Sequence, residues 1–119
     1  MADQTPRRPD HELYKLLQDE QLEEFNRRQA AGEDFDTRGL DLRALDLRGL
    51  DTTGLDLTDC YLRDTNLAGL DLREVPMEGA SIFEARISGV FFPCELTAAE
   101  IRMSRTFGTR LRYCPLTSD

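Results

Sequence analysis

The side chains able to do chemistry recur along this chain and do not cluster. Aspartates stand at Asp36, Asp41, Asp46, Asp51, Asp56 and Asp71, and arginines follow two residues later at Arg38, Arg43, Arg48 and Arg73. A series of carboxylates offers oxygen ligands to a hard divalent cation, or an acid/base pair. An arginine two places on neutralises four of them. A solvated face of surface ion pairs is therefore the simpler expectation, each pair contributing ~0–1 kcal/mol to stability. Other chemistry lacks equipment. His11 is the only histidine, which leaves no Ser/His/Asp or Cys/His constellation and no histidine-held metal. The glycines recur with the same spacing as the aspartates and form no phosphate-cradling motif. Catalytic residues, metal and cofactor are each expected to be none.

What must position these residues is a period of five. From Phe35 to Cys94 the chain divides into twelve five-residue units without slippage. The third residue of each unit is its centre, as in Leu42, Leu47, Leu57, Leu62, Leu67, Leu72, Met77 and Ile82. At the centres and the positions two before them, only Thr37, Thr52 and Thr65 are not apolar, so 21 of 24 such positions are. Roughly 9 would follow from composition alone, and neither a helix period of 3.6 nor a strand period of 2 produces a fixed apolar pair every five residues. A short period held in phase points to stacked turns, each covering the apolar face of the next.

In its units the chain resembles the bacterial pentapeptide-repeat proteins, whose repeat is Ala, then Asp or Asn, then Leu or Phe, then two free residues. The resemblance implies an all-β solenoid, a right-handed quadrilateral β-helix of about three coils, here with an N-terminal helical segment and a C-terminal capping helix. Four units per coil would stack positions twenty apart, setting Asp36 under Asp56, Arg43 under Arg63 and Asp51 under Asp71, about 4.8 Å apart. Leu40, Leu45, Leu50, Leu55 and Leu70 depart from the family's small alanine, and Ala80 and Ala85 keep to it. The family includes acidic mimics of duplex DNA that bind DNA gyrase and protect it from quinolones. Three coils stand ~14 Å tall, and duplex of that length carries roughly 8 phosphate charges. The repeats carry eleven acids and six bases, so the interleaved arginines dilute the imitation.

Composition sets further bounds. One small domain is expected from 119 residues, with a net charge of −8. Without a basic stripe, direct nucleic-acid binding is disfavoured. No apolar run is long enough to span a membrane and the N-terminus lacks the apolar core of a signal peptide, so a cytoplasmic protein is expected. Cys60, Cys94 and Cys114 make an odd count without a C-x-x-C pair, which suits a reducing compartment. Cys60 falls on an inward position, as a small buried hydrophobe.

Residues 1–9 are expected to be a disordered leader. Residues 10–34 read as a helical cap, with Asp10 as N-cap, a face of Leu13, Leu16 and Leu17, and a shifted face of Leu22 and Phe25. The shift implies either a break near Gln18 to Glu20 with Asp19 capping a second helix, or one helix twisted across its contact surface. Gly32 closes the segment. Residues 35–94 are the repeats. In 95–119, Thr97-Ala98-Ala99-Glu100 is a capping-box signature for a helix from Ala98 to about Phe107, stopped by Gly108.

Two surfaces suggest partners. Tyr61 and Phe83 replace the expected Asp or Arg beside Arg43 and Arg63, and aromatics with arginine are enriched in interface anchors; packing under the terminal segments is the plainer alternative. Phe107, Leu111 and Tyr113 are candidates for a homodimer contact, as related proteins often pair through this end. The expected function is that of a non-enzymatic protein-protein interaction scaffold with an unidentified protein partner. The alternative is an acidic DNA mimic acting on gyrase.

Overall fold

The computed structural model describes residues 5–115. The first part of the expected leader, residues 1–4, and the end of the expected tail, residues 116–119, lie outside the described residues. Three helices flank the repeats: α1, Glu12–Gln18; α2, Leu22–Ala30; and α3, Ala98–Phe107.

Helix α1 starts one residue later than Asp10 would set it. His11 Nδ1 accepts the Leu13 N–H at 3.0 Å, and the Asp10 carboxylate instead meets Lys15 Nζ at 3.0 Å. The imidazole is half-buried and stacks on Phe35 with ring centroids 4.6 Å apart, so it is a cap and a packing surface. The chain breaks between α1 and α2 at Glu20, whose φ of 57° no helix accommodates. Asp19 does not cap α2; its N-cap is Gln21, which makes no side-chain capping bond. The break lets both helices bury apolar residues, Leu13, Tyr14 and Leu17 from α1 and Phe25 from α2, in one core with the leucines of the repeats. In α3, Thr97 Oγ1 accepts the Glu100 N–H at 3.1 Å, and Gly108 ends the helix in the left-handed region.

Repeat units make tight turns closed by an i to i−3 bond, as from Leu70 N to Leu67 O at 3.1 Å and from Ala80 N to Met77 O at 3.0 Å. In most units the last residue takes positive φ whether or not it is glycine. Ala44, Asp59, Asp64 and Glu84 do so at 58–63°. Between turns the chain returns on itself every twenty residues. Isolated parallel bridges join Asp41 to Tyr61 to Ser81, Asn66 to both Asp46 and Arg86, and Asp71 to Phe91. The bonding follows a rule: the centre's N–H reaches nineteen residues on, as from Leu42 to the Tyr61 carbonyl at 2.9 Å, and the preceding residue's N–H reaches twenty-one back, as from Tyr61 to the Leu40 carbonyl at 2.9 Å.

The expected all-β solenoid, the right-handed quadrilateral β-helix, is corrected by this geometry. Among the described residues the regular elements are the three helices; there is no strand and no sheet, and the repeats are turns joined by isolated bridges. The reason is the shortness of the period. A turn every five residues leaves one bridged residue per unit, and a strand needs consecutive residues in the ladder. Where Pro76 would donate it has no N–H, and no bridge forms at that unit among the described residues.

The inward pattern is nonetheless sharp. Leu40, Leu47, Leu62, Leu67, Leu72, Met77, Ile82, Ala80 and Ala85 are each completely buried. The threonines are accommodated by bonding their hydroxyls to neighbouring carbonyls: Thr65 Oγ1 to Leu42 O at 2.6 Å, Thr52 Oγ1 to Asp71 O at 3.0 Å, and Thr37 Oγ1 to Asp56 O. Within the segment read as a leader, Arg7 is in register with the first units. Its N–H donates to Gly39 O at 2.8 Å and its carbonyl accepts the Asp41 N–H at 3.0 Å.

Candidate functional site

The aspartates before the centres have a structural use. A carboxylate oxygen of each accepts the N–H of the residue two places on: Arg38 onto Asp36, Arg43 onto Asp41, Arg48 onto Asp46, Thr53 onto Asp51, Thr58 onto Asp56 and Arg73 onto Asp71, all within 2.9–3.2 Å. Asn66 does the same for Ala68 at 3.1 Å. These are Asx-turns, which explains why a short acceptor side chain recurs there. Each arginine at the later position then folds back in a two-pronged contact on the same carboxylate, as in Arg48 Nε and Nη2 on Asp46 at 2.9 and 2.7 Å. The guanidinium bonds hold the Asp46 and Asp71 carboxyls down to about 2, and Asp36 is lowered by Arg38 in the same way. No group of three or more potential metal ligands assembles among the described residues.

Asp41 is the exception to exposure. Its carboxylate is 3% exposed and accepts from Arg43 Nε and Nη2, both at 2.9 Å, and from Arg8 Nε at 2.8 Å. The side-chain bond from Arg43 is the largest cause holding its pKa below the ordinary carboxylate range. Its carbonyl accepts from Tyr14 Oη at 2.7 Å and Gln18 Nε2 at 3.0 Å. Burial, and then the Asp41 charge, raise the Tyr14 phenol. One residue thus joins the N-terminal arm, α1 and the first units. The unit of Asp41 differs from that of Asp46 only in Ala44 for Gly49, which carries no sign of burial; the available signal was the Arg7-Arg8 pair, two cations in an otherwise plain arm.

The four residues of the expected interaction face fall on three stacked units, 40–44, 60–64 and 80–84, joined by the bridges from Asp41 to Tyr61 to Ser81. Arg43 is committed to Asp41. Arg63 lies over the Phe83 ring at 5.1 Å from its centroid, and Arg110 lies over the Tyr61 ring at 5.1 Å and donates to its hydroxyl at 2.6 Å. Arg110, not singled out from sequence, comes from the C-terminal segment and also bonds Gly79 O at 2.7 Å. Both aromatics are half-buried.

The three residues of the expected dimer contact separate. Leu111 is buried in the chain's own core, and its N–H donates to Ala80 O at 2.8 Å. Tyr113 Oη accepts the Met77 N–H at 2.9 Å. Both are engaged at the end of the repeats, Leu111 fully buried and Tyr113 half-buried. Phe107 is 71% exposed, with Met103 one helical turn before it at 43%. Cys60 is buried, its thiol donating to Thr37 O at 3.0 Å, and burial pushes its pKa up to about 12. Cys94 and Cys114 are free and exposed. No helix among the described residues is long and apolar enough to cross a membrane.

No curated protein and no solved structure matches the chain significantly. A family model for pentapeptide repeats does match, in eight copies over residues 41–79. With the period of the sequence and the twenty-residue register of its hydrogen bonds, that match makes residues 41–79, about a third of the chain, a run of pentapeptide repeats.

Proposed function

We propose that this chain is a non-enzymatic protein-interaction module. Pentapeptide-repeat proteins are generally non-catalytic, and the displaced titrations here have structural causes: paired arginines at Asp36, Asp41, Asp46 and Asp71, and burial at Cys60. The observation that carries the reading is the pair of arginine-aromatic stacks on one side, Arg63 on Phe83 and Arg110 on Tyr61. Ordered stacks present large contact groups at little further entropic cost on binding. The partner is a protein docking on the side that carries Arg43, Tyr61, Arg63 and Phe83. Crosslinking and mass spectrometry in native cells, comparing wild type with Arg63→Glu, tests this. A partner captured by wild type and lost by the variant, at unchanged melting temperature, is expected; full retention by the variant rejects this face.

Self-association through the C-terminal segment narrows in this reading to Phe107 and Met103. Light scattering that gives a monomer across a wide concentration range rejects it. The gyrase-directed DNA mimic is the weaker alternative, because Asp36, Asp41, Asp46 and Asp71 are each neutralised by a two-pronged arginine. A supercoiling assay showing inhibition by this protein would favour it.

A further inference from the structure

The arginines divide into two sets. In a chain with 23 acids and 15 bases, most cations sit on a carboxylate: Arg7, Arg8, Lys15, Arg27, Arg28, and Arg38 through Arg73 in the repeats, then Arg110 and Arg112. Among the described residues, Arg86, Arg102 and Arg105 meet none. Two of these three line the same groove, an open depression of about 400 Å³ between the later units and α3, walled by Asn66, Ala68, Arg86, Ile87, Ser88 and Arg105.

The lining of the groove holds no acid; Arg86 acts on the Asp46 carboxylate through space only, and Arg48 already grips that group. Asn66 uses its Oδ1 on the Ala68 N–H at 3.1 Å, which leaves its Nδ2 facing outward with no acceptor among the described residues. Arg105 spends Nε on the Ala85 carbonyl at 2.9 Å and keeps both terminal nitrogens. The Arg86 guanidinium and the Ser88 hydroxyl bond nothing among the described residues. In a protein of net charge −8, two cations left without carboxylates and converging on one depression form a place where an external anion would be satisfied. Guanidinium forks match a planar carboxylate in two-pronged geometry. The surrounding negative charge opposes a phosphate dianion more than a monoanion, and Ile87 and Ala68 offer apolar wall for an alkyl group beside the charge.

We propose that this groove binds a monocarboxylate bearing a short apolar group, either a peptide C-terminus or a free acylated amino acid, through Arg86 and Arg105 with Asn66 and Ser88. The site is separate from the Tyr61 side, and neither proposal depends on the other.

The test is an NMR titration of the isotope-labelled full chain with N-acetyl-leucine, N-acetyl-leucinamide, acetyl-Ala-Ala-Leu and inorganic phosphate. Saturable shifts at Ala68, Ile87 and Ser88 are expected with the two carboxylates and not with the amide. Arg86→Gln should weaken binding about tenfold or more. Arg86 projects outward, so this variant should keep the fold, and Arg102→Gln, which removes the unpaired arginine outside the groove, should bind as wild type. Tighter binding of the peptide identifies a chain terminus as the source, and equal binding a free small carboxylate. Shifts as large with the amide, phosphate binding as tight as carboxylate, or unchanged affinity in Arg86→Gln overturns the proposal.

Discussion

Tyr14 Oη donates a hydrogen bond to the carbonyl of Asp41 at 2.7 Å, tying a helix of seven residues to the first repeat units. A helix that short is not stable alone in water. Its order comes from this bond, from Gln18 on the same carbonyl and from the burial of Leu13 and Leu17. The Asp41 carboxylate meanwhile fixes Arg8 and Arg43, so that arm, helix and repeats meet at one residue.

Asp41→Asn should destabilise the chain by about 1–3 kcal/mol. Losing a buried charge from between two cations is costly, but both arginines remain partly in water, which lowers the figure from that of a fully buried pair. Asp46→Asn removes an exposed pair and should change stability by ~0.5 kcal/mol or less. Urea unfolding of the two variants checks the contrast; equal losses would remove Asp41 from its special position.

The same carboxylates set an acid limit. The folded-state pKa values of Asp36, Asp41, Asp46 and Asp71 lie below the unfolded value. Their contribution is therefore present above the unfolded carboxylate pKa of ~3.9 and is lost as pH falls toward the folded values. Melting temperature should be flat through neutral pH and fall between about 4 and about 2, where Asp46 and Asp71 titrate. A melting temperature unchanged over that interval would contradict the arginine pairing.

Turn geometry makes opposite predictions at equivalent places. Gly54 has φ 73° and open space where a methyl group would stand, whereas a Cβ on Gly79, at φ 85°, would stand 1.9 Å from Asp59 Oδ1. Gly54→Ala should cost about 1 kcal/mol from backbone conformation alone, and Gly79→Ala somewhat more because Asp59 must also turn away. Ala44 already occupies this conformation, at φ 63°. Ala44→Gly should therefore be neutral to stabilising, by up to ~1 kcal/mol. Thermal unfolding of the three variants gives the ordering.

The inward columns were legible in the sequence because most five-residue units repeat the same burial, so the period survives substitutions such as Cys60 and Ala80. Helix α3 was legible from Thr97 and Glu100, whose capping is local. The all-β expectation failed at a finer level: apolar spacing reports which residues face inward, not whether neighbouring residues pair continuously. Asp41, Arg110 and the Arg86 groove were hidden for another reason. Their environments are made by residues far away in sequence, Arg8 and Tyr14 for the first, Tyr61 for the second and Arg105 for the third, and no periodic signal connects them. The burial of Leu111 was hidden because it follows the helix in a segment without a period, where burial has no sequence signature.

Cysteine labelling tests the core directly. At pH 8 an alkylating reagent should modify Cys94 and Cys114 in the native chain and leave Cys60, whose thiol is buried and pushed up to about 12. Intact-mass measurement should show two adducts in buffer and three in urea. Three adducts on the native chain would mean that the first units open readily.

Thr65 provides the sharpest test of how a polar residue enters an inward column. It is completely buried, and its hydroxyl donates to the Leu42 carbonyl at 2.6 Å. Thr65→Val keeps the shape and adds apolar surface, which by itself would stabilise. The substitution also removes the donor to a carbonyl in the interior, and an acceptor left unpaired there costs more than the methyl returns. A net loss of about 1–2 kcal/mol is expected. Thr52 is the natural comparison, because its hydroxyl makes the analogous bond to Asp71 O at 3.0 Å from a half-buried position. Water can replace that donor, so Thr52→Val should fall within ~0.5 kcal/mol of wild type. If Thr65→Val proved as stable as Thr52→Val, the hydroxyl would be dispensable and the column would tolerate threonine only for its size.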